Sequence, residues 1–313
     1  IPAVENPTPR PFFDIPSHEE TYFCLATDKE ATSSNVQVVR IFREKEYDGK
    51  GYTTYEDIKN SLLISFYKSM MSARIGELVQ SGKAPYVSAS VGLYGVARGY
   101  YGYYIMATAK PNEEAAALRG ALEAHEQVYQ HGFTASELER VKTNFLTMLE
   151  SAVKDKDKTT NDSYAEEMQS HFLENEGIVD VTDYAEAVKE ILPTITPEEV
   201  AAQARRWWKA DNRTIIVSGP SEGVTHLTEQ EARAIVDEME KTTVAAYEDN
   251  HVDGKLVENE PKSGRITAVK ELPQFEAEEW TLDNGAKVIY RKADFEKDAV
   301  ALTAYSPGGT SLY

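Results

Sequence analysis

The sequence predicts an α+β fold in which an antiparallel sheet is backed by a helical layer, followed by a partial second unit. Three observations predict it. The elements read strand, strand, helix, strand, strand, a run of helices and a closing strand. Hydrophobic residues make up 41% and charged residues 27% of the 313 positions, enough apolar surface for a packed core. Beyond residue 221 the composition turns acidic and polar before strand signals resume, which separates a second unit from the first.

Residues 1–19 read as an extended linker, because Pro2, Pro7, Pro9, Pro11 and Pro16 hold themselves and their predecessors out of the α region. Tyr22–Ala26 and Val36–Phe42 are strands around a turn-rich Thr27–Asn35. Cys24 falls in the first of them, a short apolar run, and reads as an inert core thiol. A long helix spans Tyr55–Gln80. Thr54 and Asp57 give its start, Ile58, Leu62, Phe66 and Met70 one apolar stripe, and Leu63, Tyr67, Met71 and Ile75 a second. Ser81-Gly82 ends it. Pro85–Val91 and Tyr100–Thr108 are strands, with Gly92, Gly95, Gly99 and Gly102 around their connection.

Helices follow over Asn112–His131, from Thr134-x-x-Glu137 onward, over Asn161–Glu174 and Thr182–Leu192, and from the box Thr196-Pro197-Glu198-Glu199 to Trp208. Arg213–Pro220 is the closing strand. Glu222–Glu279 holds 15 acidic and 6 basic residues; Thr228-x-x-Glu231 opens a helix there, and the rest reads as solvated linker. Trp280–Leu282 and Ala286–Tyr290 flank Asp283-Asn284-Gly285 as a hairpin, and Ala299–Tyr305 reads as another strand. The predicted organisation is therefore 1–19 linker, 20–221 first domain, 222–279 acidic helical linker and 280–313 the opening strands of a truncated domain.

Charge and composition exclude several function classes. The net charge is −19 with a pI near 4.8, a field that repels phosphates, so no nucleic-acid partner is expected. No apolar run of membrane-spanning length occurs. The single cysteine excludes an internal disulfide framework and any cysteine-based zinc site. His125 and His131 stand six apart, on different faces of a helix. His171-Phe172-Leu173-Glu174 has the first and fourth residues of H-x-x-E-H, but Asn175 stands fifth. No nucleophile elbow, P-loop or dinucleotide fingerprint is present. The residues by themselves thus name no catalytic and no metal-binding position. The start lacks methionine and the end falls inside a strand-and-turn pattern, so the chain reads as a piece of a longer protein.

Three ordered elements carry a resemblance: Arg74-Ile75-Gly76-Glu77-Leu78, Pro85-Tyr86-Val87-Ser88-Ala89, and Gly132-Phe133-Thr134-x-x-Glu137-Leu138-x-x-x-Lys142. Together with a closing strand ending in Ser218-Gly219-Pro220, they resemble the second domain of the insulinase-like (pitrilysin-type) zinc metallopeptidases. Leu282-Asp283-Asn284-Gly285-Ala286-Lys287-Val288 and Gly308-Gly309-Thr310 look like the opening of a third domain, with the acidic segment where the linker between halves would be.

The resemblance implies a non-catalytic fragment of a zinc-dependent metalloendopeptidase of the large bacterial type, forming one wall of a chamber around peptide substrates. Its partners would be a peptide and the other domains of the same polypeptide, and its location the periplasm or cell envelope. Zinc would be bound by the parent protein and not by this stretch, since the family's H-x-x-E-H belongs to the first domain. The alternative it leaves open is a zinc-free relative acting as a binding or assembly subunit. In the family an Arg–Tyr pair supports the substrate. Tyr86 matches the tyrosine, the arginine position holds Val79-Gln80, and Arg74 matches a separate, helix-packing arginine. The acidic balance would favour basic or neutral peptides.

Overall fold

The computed structural model describes residues 13–43, 54–174, 176–249, 257, 259–294, 300–306 and 308–309. They fall into two units, one within Ile1–Glu150 and Thr160–Asp249, the other within Ser151–Thr159 and Asn250–Tyr313.

The first unit is built on a five-stranded sheet. Strands β1 (Tyr22–Asp28), β2 (Asn35–Arg43), β3 (Tyr86–Ala97), β4 (Tyr100–Ala109) and β5 (Arg213–Pro220) lie in the order β1-β5-β2-β4-β3. Three pairings are antiparallel, and β1 runs parallel to β5 at the edge. Alternation along β2, β4 and β5 sends Val36, Val38, Tyr103, Ile105, Ala107, Ile215 and Val217 to one face, where all are fully buried. That face is covered by α1 (Tyr55–Gln80), α2 (Glu114–His131) and α6 (Pro197–Trp207).

Local chemistry fixes where α1 and α6 begin. Thr54 and Asp57 at α1, and Thr196 and Glu199 at α6, exchange reciprocal side-chain-to-backbone bonds. Both predicted stripes of α1 are buried, from Ile58 to Ile75. Helices α3 (Ala135–Lys154), α4 (Asn161–Glu174) and α5 (Val181–Ile191) complete the predicted helical run.

Four expectations need correction. Outside its predicted helix, the stretch after β5 is not solvated throughout. Helix α7 (Glu229–Met239) buries Ala232, Ile235, Val236 and Met239, and Leu227 and Val244 are buried beside it. Its i, i+3, i+4 spacing gives it an apolar face that its charge conceals at the level of composition. Within the same stretch, β6 (Ile266–Leu272) is a strand. It pairs with β7 (Ala277–Leu282), and β7 with β8 (Lys287–Tyr290), both antiparallel, to form the second unit's sheet. Residues 300–305 have no regular structure, because no strand pairs with them among the described residues; Ala299 lies outside those. Finally, β1 is an exposed edge strand and Cys24 an exposed thiol, since β5 takes one of its edges and α1, α2 and α6 pack elsewhere on the sheet.

Candidate functional site

Among the described residues, the helical layer covers one face of the five-stranded sheet and leaves the other open. On the open face Val39 lies between Tyr104 and Thr214, and Gln37 between Met106 and Ile216. Ser90 continues the second row beyond Met106, and Cys24 closes it beyond Ile216. These side chains are half-buried or exposed, except Val39, which its neighbours wall in at 3% exposure. Tyr94 lies over Gly102, where an added Cβ would fall 2.6 Å from its ring, and its ring centroid is 5.8 Å from that of Tyr104. Both rows are uncharged. Charge stands at the margins, with Asp28 and Arg43 at strand ends, Asp14 paired with Arg43 at 2.8 Å, and Lys68, whose Cε would lie 3.4 Å from a Cβ at Gly92 beside the Tyr104 hydroxyl, so the acidity expected of a wall is not concentrated on these rows. A charge-poor surface carrying tyrosine and methionine has the composition of an interface core.

Tyr86 is on the other side. It begins β3 at 1% exposure, packed under α2 where Gly120 leaves room: a Cβ at Gly120 would lie 2.2 Å from Pro85 Cγ and 3.3 Å from Tyr86 Cε1. Its hydroxyl is enclosed and has no hydrogen-bond partner among the described residues, and burial pushes its pKa up. Val79 and Gln80, at the expected arginine position, end α1 at the surface. The structure therefore does not bring Tyr86 to the open face. Tyr94 and Tyr104, which do reach it, were missed. Their signal was the alternation of glycine with tyrosine through Gly92, Tyr94, Gly102 and Tyr104, since a glycine opposite an aromatic in register seats its ring.

Arg74 is a packing residue. It is 6% exposed and holds Glu137 through Nε at 2.6 Å and Nη2 at 2.9 Å, with Nη2 also donating to the Gly132 carbonyl at 3.0 Å. Its guanidinium lies 4.9 Å from the Phe133 ring and 4.1 Å from that of Tyr247. Glu137 in turn accepts from the Thr134 N–H at 2.7 Å, the capping box predicted for α3.

Three titratable groups meet in the core. The Tyr67 and Tyr103 hydroxyls are 2.6 Å apart, and Tyr103 is 2.8 Å from His125 Nδ1. Burial raises both tyrosines and lowers His125 to about 3. All three are fully buried, so the chain links α1, β4 and α2 and offers no group to a ligand.

Among the described residues no cluster of three or more His, Cys, Asp or Glu could hold a metal. His171 is exposed, with Nδ1 2.5 Å from the Glu176 carbonyl, and Asn175 lies outside the described residues. These residues do not fit a zinc site. Nor, among the described residues, is any helix long and apolar enough to cross a membrane.

No family model matches the chain. It is similar to a PQQL-like zinc protease of Arabidopsis thaliana, 26% identical over 311 residues, or 99% of this chain and 29% of that protein. Among solved structures, the periplasmic protease PqqL from Escherichia coli superposes with a TM-score of 0.72 at 18% identity, over 94% of this chain and 32% of that one. A mutant of the ferredoxin protease FusC, in complex with Arabidopsis ferredoxin, superposes with a TM-score of 0.62 at 18% identity, over 93% and 32%. The chain thus spans about a third of the length of these relatives. It has the insulinase-like peptidase fold.

Proposed function

We propose that this chain, homologous to a PQQL-like zinc protease and insulinase-like in fold, is a non-catalytic stretch of a zinc-dependent metalloendopeptidase whose open sheet face forms a wall of the peptide-binding chamber. The observation that carries the reading is the alignment itself. Nearly the whole chain matches under a third of a zinc protease, while the described residues bring no metal-binding cluster together. The uncharged rows around Tyr104 and Met106 support a contact surface for peptide there, with binding carried by apolar and hydrogen-bonding contacts rather than by charge. The mutant FusC complex with ferredoxin supports a polypeptide as substrate. A periplasmic or envelope location belongs to the same proposal, supported by the Escherichia coli neighbour.

The test uses the full-length polypeptide and, beside it, the 313-residue chain. The chain alone is expected to hold no stoichiometric zinc and to cleave no peptide, whereas the full-length protein holds zinc and cleaves. Tyr104→Lys and Met106→Lys in the full-length protein are expected to leave zinc content unchanged and to raise KM for peptides several-fold. One tightly held zinc in the isolated chain, or unchanged peptide kinetics in both variants, would overturn the assignment. A zinc-free full-length protein that still binds peptide would select the binding-subunit reading.

A further inference from the structure

His226 sits between the end of β5 and the first turn of α2. Its Nδ1 is 2.7 Å from Glu114 Oε1 and its Nε2 is 2.8 Å from the Pro220 carbonyl oxygen. Both partners face the ring with acceptor oxygens. A neutral imidazole carries one N–H and one lone pair, so it would satisfy one partner and oppose the other with a lone pair; only the imidazolium donates to both. Water does not relieve the conflict, because the side chains of His226 and Glu114 are only 10% and 2% exposed. Glu114 Oε2 also accepts the Leu227 N–H at 2.9 Å, so one carboxylate holds two successive residues. The ring is pressed against the sheet: a Cβ at Gly219 would come within 2.9 Å of His226 Cε1 and 2.7 Å of Ser34 Oγ.

We propose that His226 is a protonation-dependent clasp that fastens the start of the strap from residue 226 to residue 249 onto the first unit and lets go when it loses its proton. At this end the strap is also held by the buried side chains of Leu227 and Ala232. Downstream, α7 packs on α2, Gln130 donates to the Thr242 carbonyl at 2.8 Å, and His131 Nε2 lies 2.7 Å from the Val244 carbonyl. Arg140 holds Asp249 at 2.9 Å, and Ser136 donates to the same carboxylate. Groups facing His226 are Glu114 from α2 and the Pro220 carbonyl from β5; the Ser34 hydroxyl of the β1–β2 turn lies beside Gly219. On its own segment, Glu229 is bonded to Arg233 and Glu231 is turned back onto Thr228. The Pro220 carbonyl, and after it Glu114, holds the ring's pKa above that of an ordinary histidine against the opposing effect of burial. A raised value means the clasp is complete below the ordinary histidine range and is lost as pH climbs through the raised value.

The inference is independent of any peptidase role and is tested on the 313-residue chain. Nitrogen-detected NMR of the histidine rings, followed against pH, is expected to show both nitrogens of His226 still protonated at about pH 6.5, where free histidine is already half neutral. Hydrogen-exchange protection of residues 227–232, corrected for intrinsic rates, is expected to fall several-fold between about pH 6 and pH 9. In Glu114→Gln and His226→Gln that fall should vanish, with protection already low at the acid end. A neutral single-tautomer ring at about pH 6.5 in the unmodified chain overturns the proposal whether or not the variants fold. So does protection that is flat with pH.

Discussion

Breaking the Arg74–Glu137 pair should be the costliest single polar change in the first unit. Both side chains are 5% exposed, so truncating one leaves its partner's charge without water. Arg74→Met would remove three charge-assisted bonds, two to Glu137 at 2.6 and 2.9 Å and one to the Gly132 carbonyl at 3.0 Å, and among the described residues leave Glu137 with its Thr134 capping contacts. Removing one partner of a buried pair costs about 3–5 kcal/mol, a large part of the roughly 5–15 kcal/mol that holds a domain folded. Loss of the stacking on Phe133 and Tyr247 adds about 0.5–2 kcal/mol, offset in part by the apolar contacts of methionine. At about 2–4 °C per kcal/mol for a unit of this size, melting should fall by about 6–20 °C. The double variant Arg74→Met/Glu137→Leu removes both charges and forfeits the α3 cap, worth about 1 kcal/mol, so it should melt above the single variant. Calorimetry of the three proteins decides. A single-variant shift under about 2 °C, or a double variant less stable than the single, would refute the claim that an orphaned buried carboxylate dominates.

Two further outcomes follow from the core. His125 is held neutral down to about pH 3, so between the ordinary histidine range and that value the unfolded chain binds a proton that the folded chain does not. Stability should therefore fall with acidification by up to about 1.4 kcal/mol per pH unit, and urea midpoints at about pH 7 and pH 4.5 should converge in His125→Gln if this residue is the cause. At Gly120, alanine would drive its Cβ to 2.2 Å from the Pro85 ring, which cannot rotate away. Gly120→Ala should cost about 1–3 kcal/mol by overpacking, whereas Gly76→Ala, with nothing within 4 Å, should not destabilise.

Much of the fold was legible because its signals are local. The span Tyr55–Gln80 follows from a Thr-x-x-Asp box at one end, Ser81-Gly82 at the other and two apolar stripes between, and the structure has that helix with those bounds. The boxes at Thr196 and Thr228 set α6 and α7 the same way, because a capping box satisfies two backbone donors from within four residues. The site was less legible. Which face of a strand is covered depends on helices distant in sequence, so Tyr86, an aromatic at a strand start, could not be placed on the covered side from its neighbours alone. Tyr94 and Tyr104 reach the open face only through the β3–β4 register, which is a long-range property.

Strand β1 shows the same limit from the opposite direction. Tyr22-Phe23-Cys24-Leu25-Ala26 has the composition of a buried strand, and composition was the ground for placing Cys24 in the core. Burial of a strand requires a neighbour on each edge and a layer on at least one face. Here β5 takes one edge, no strand takes the other among the described residues, and Tyr22 and Leu25 stay 53% and 48% exposed. Solvent-facing edges are ordinarily protected by charge or proline, and β1 has neither before Asp28. An apolar run is therefore evidence that a strand will be covered somewhere in its working context, and not that the elements around it in sequence do the covering. The strap after β5 is the converse case, since its charge count conceals an apolar face that α2 buries.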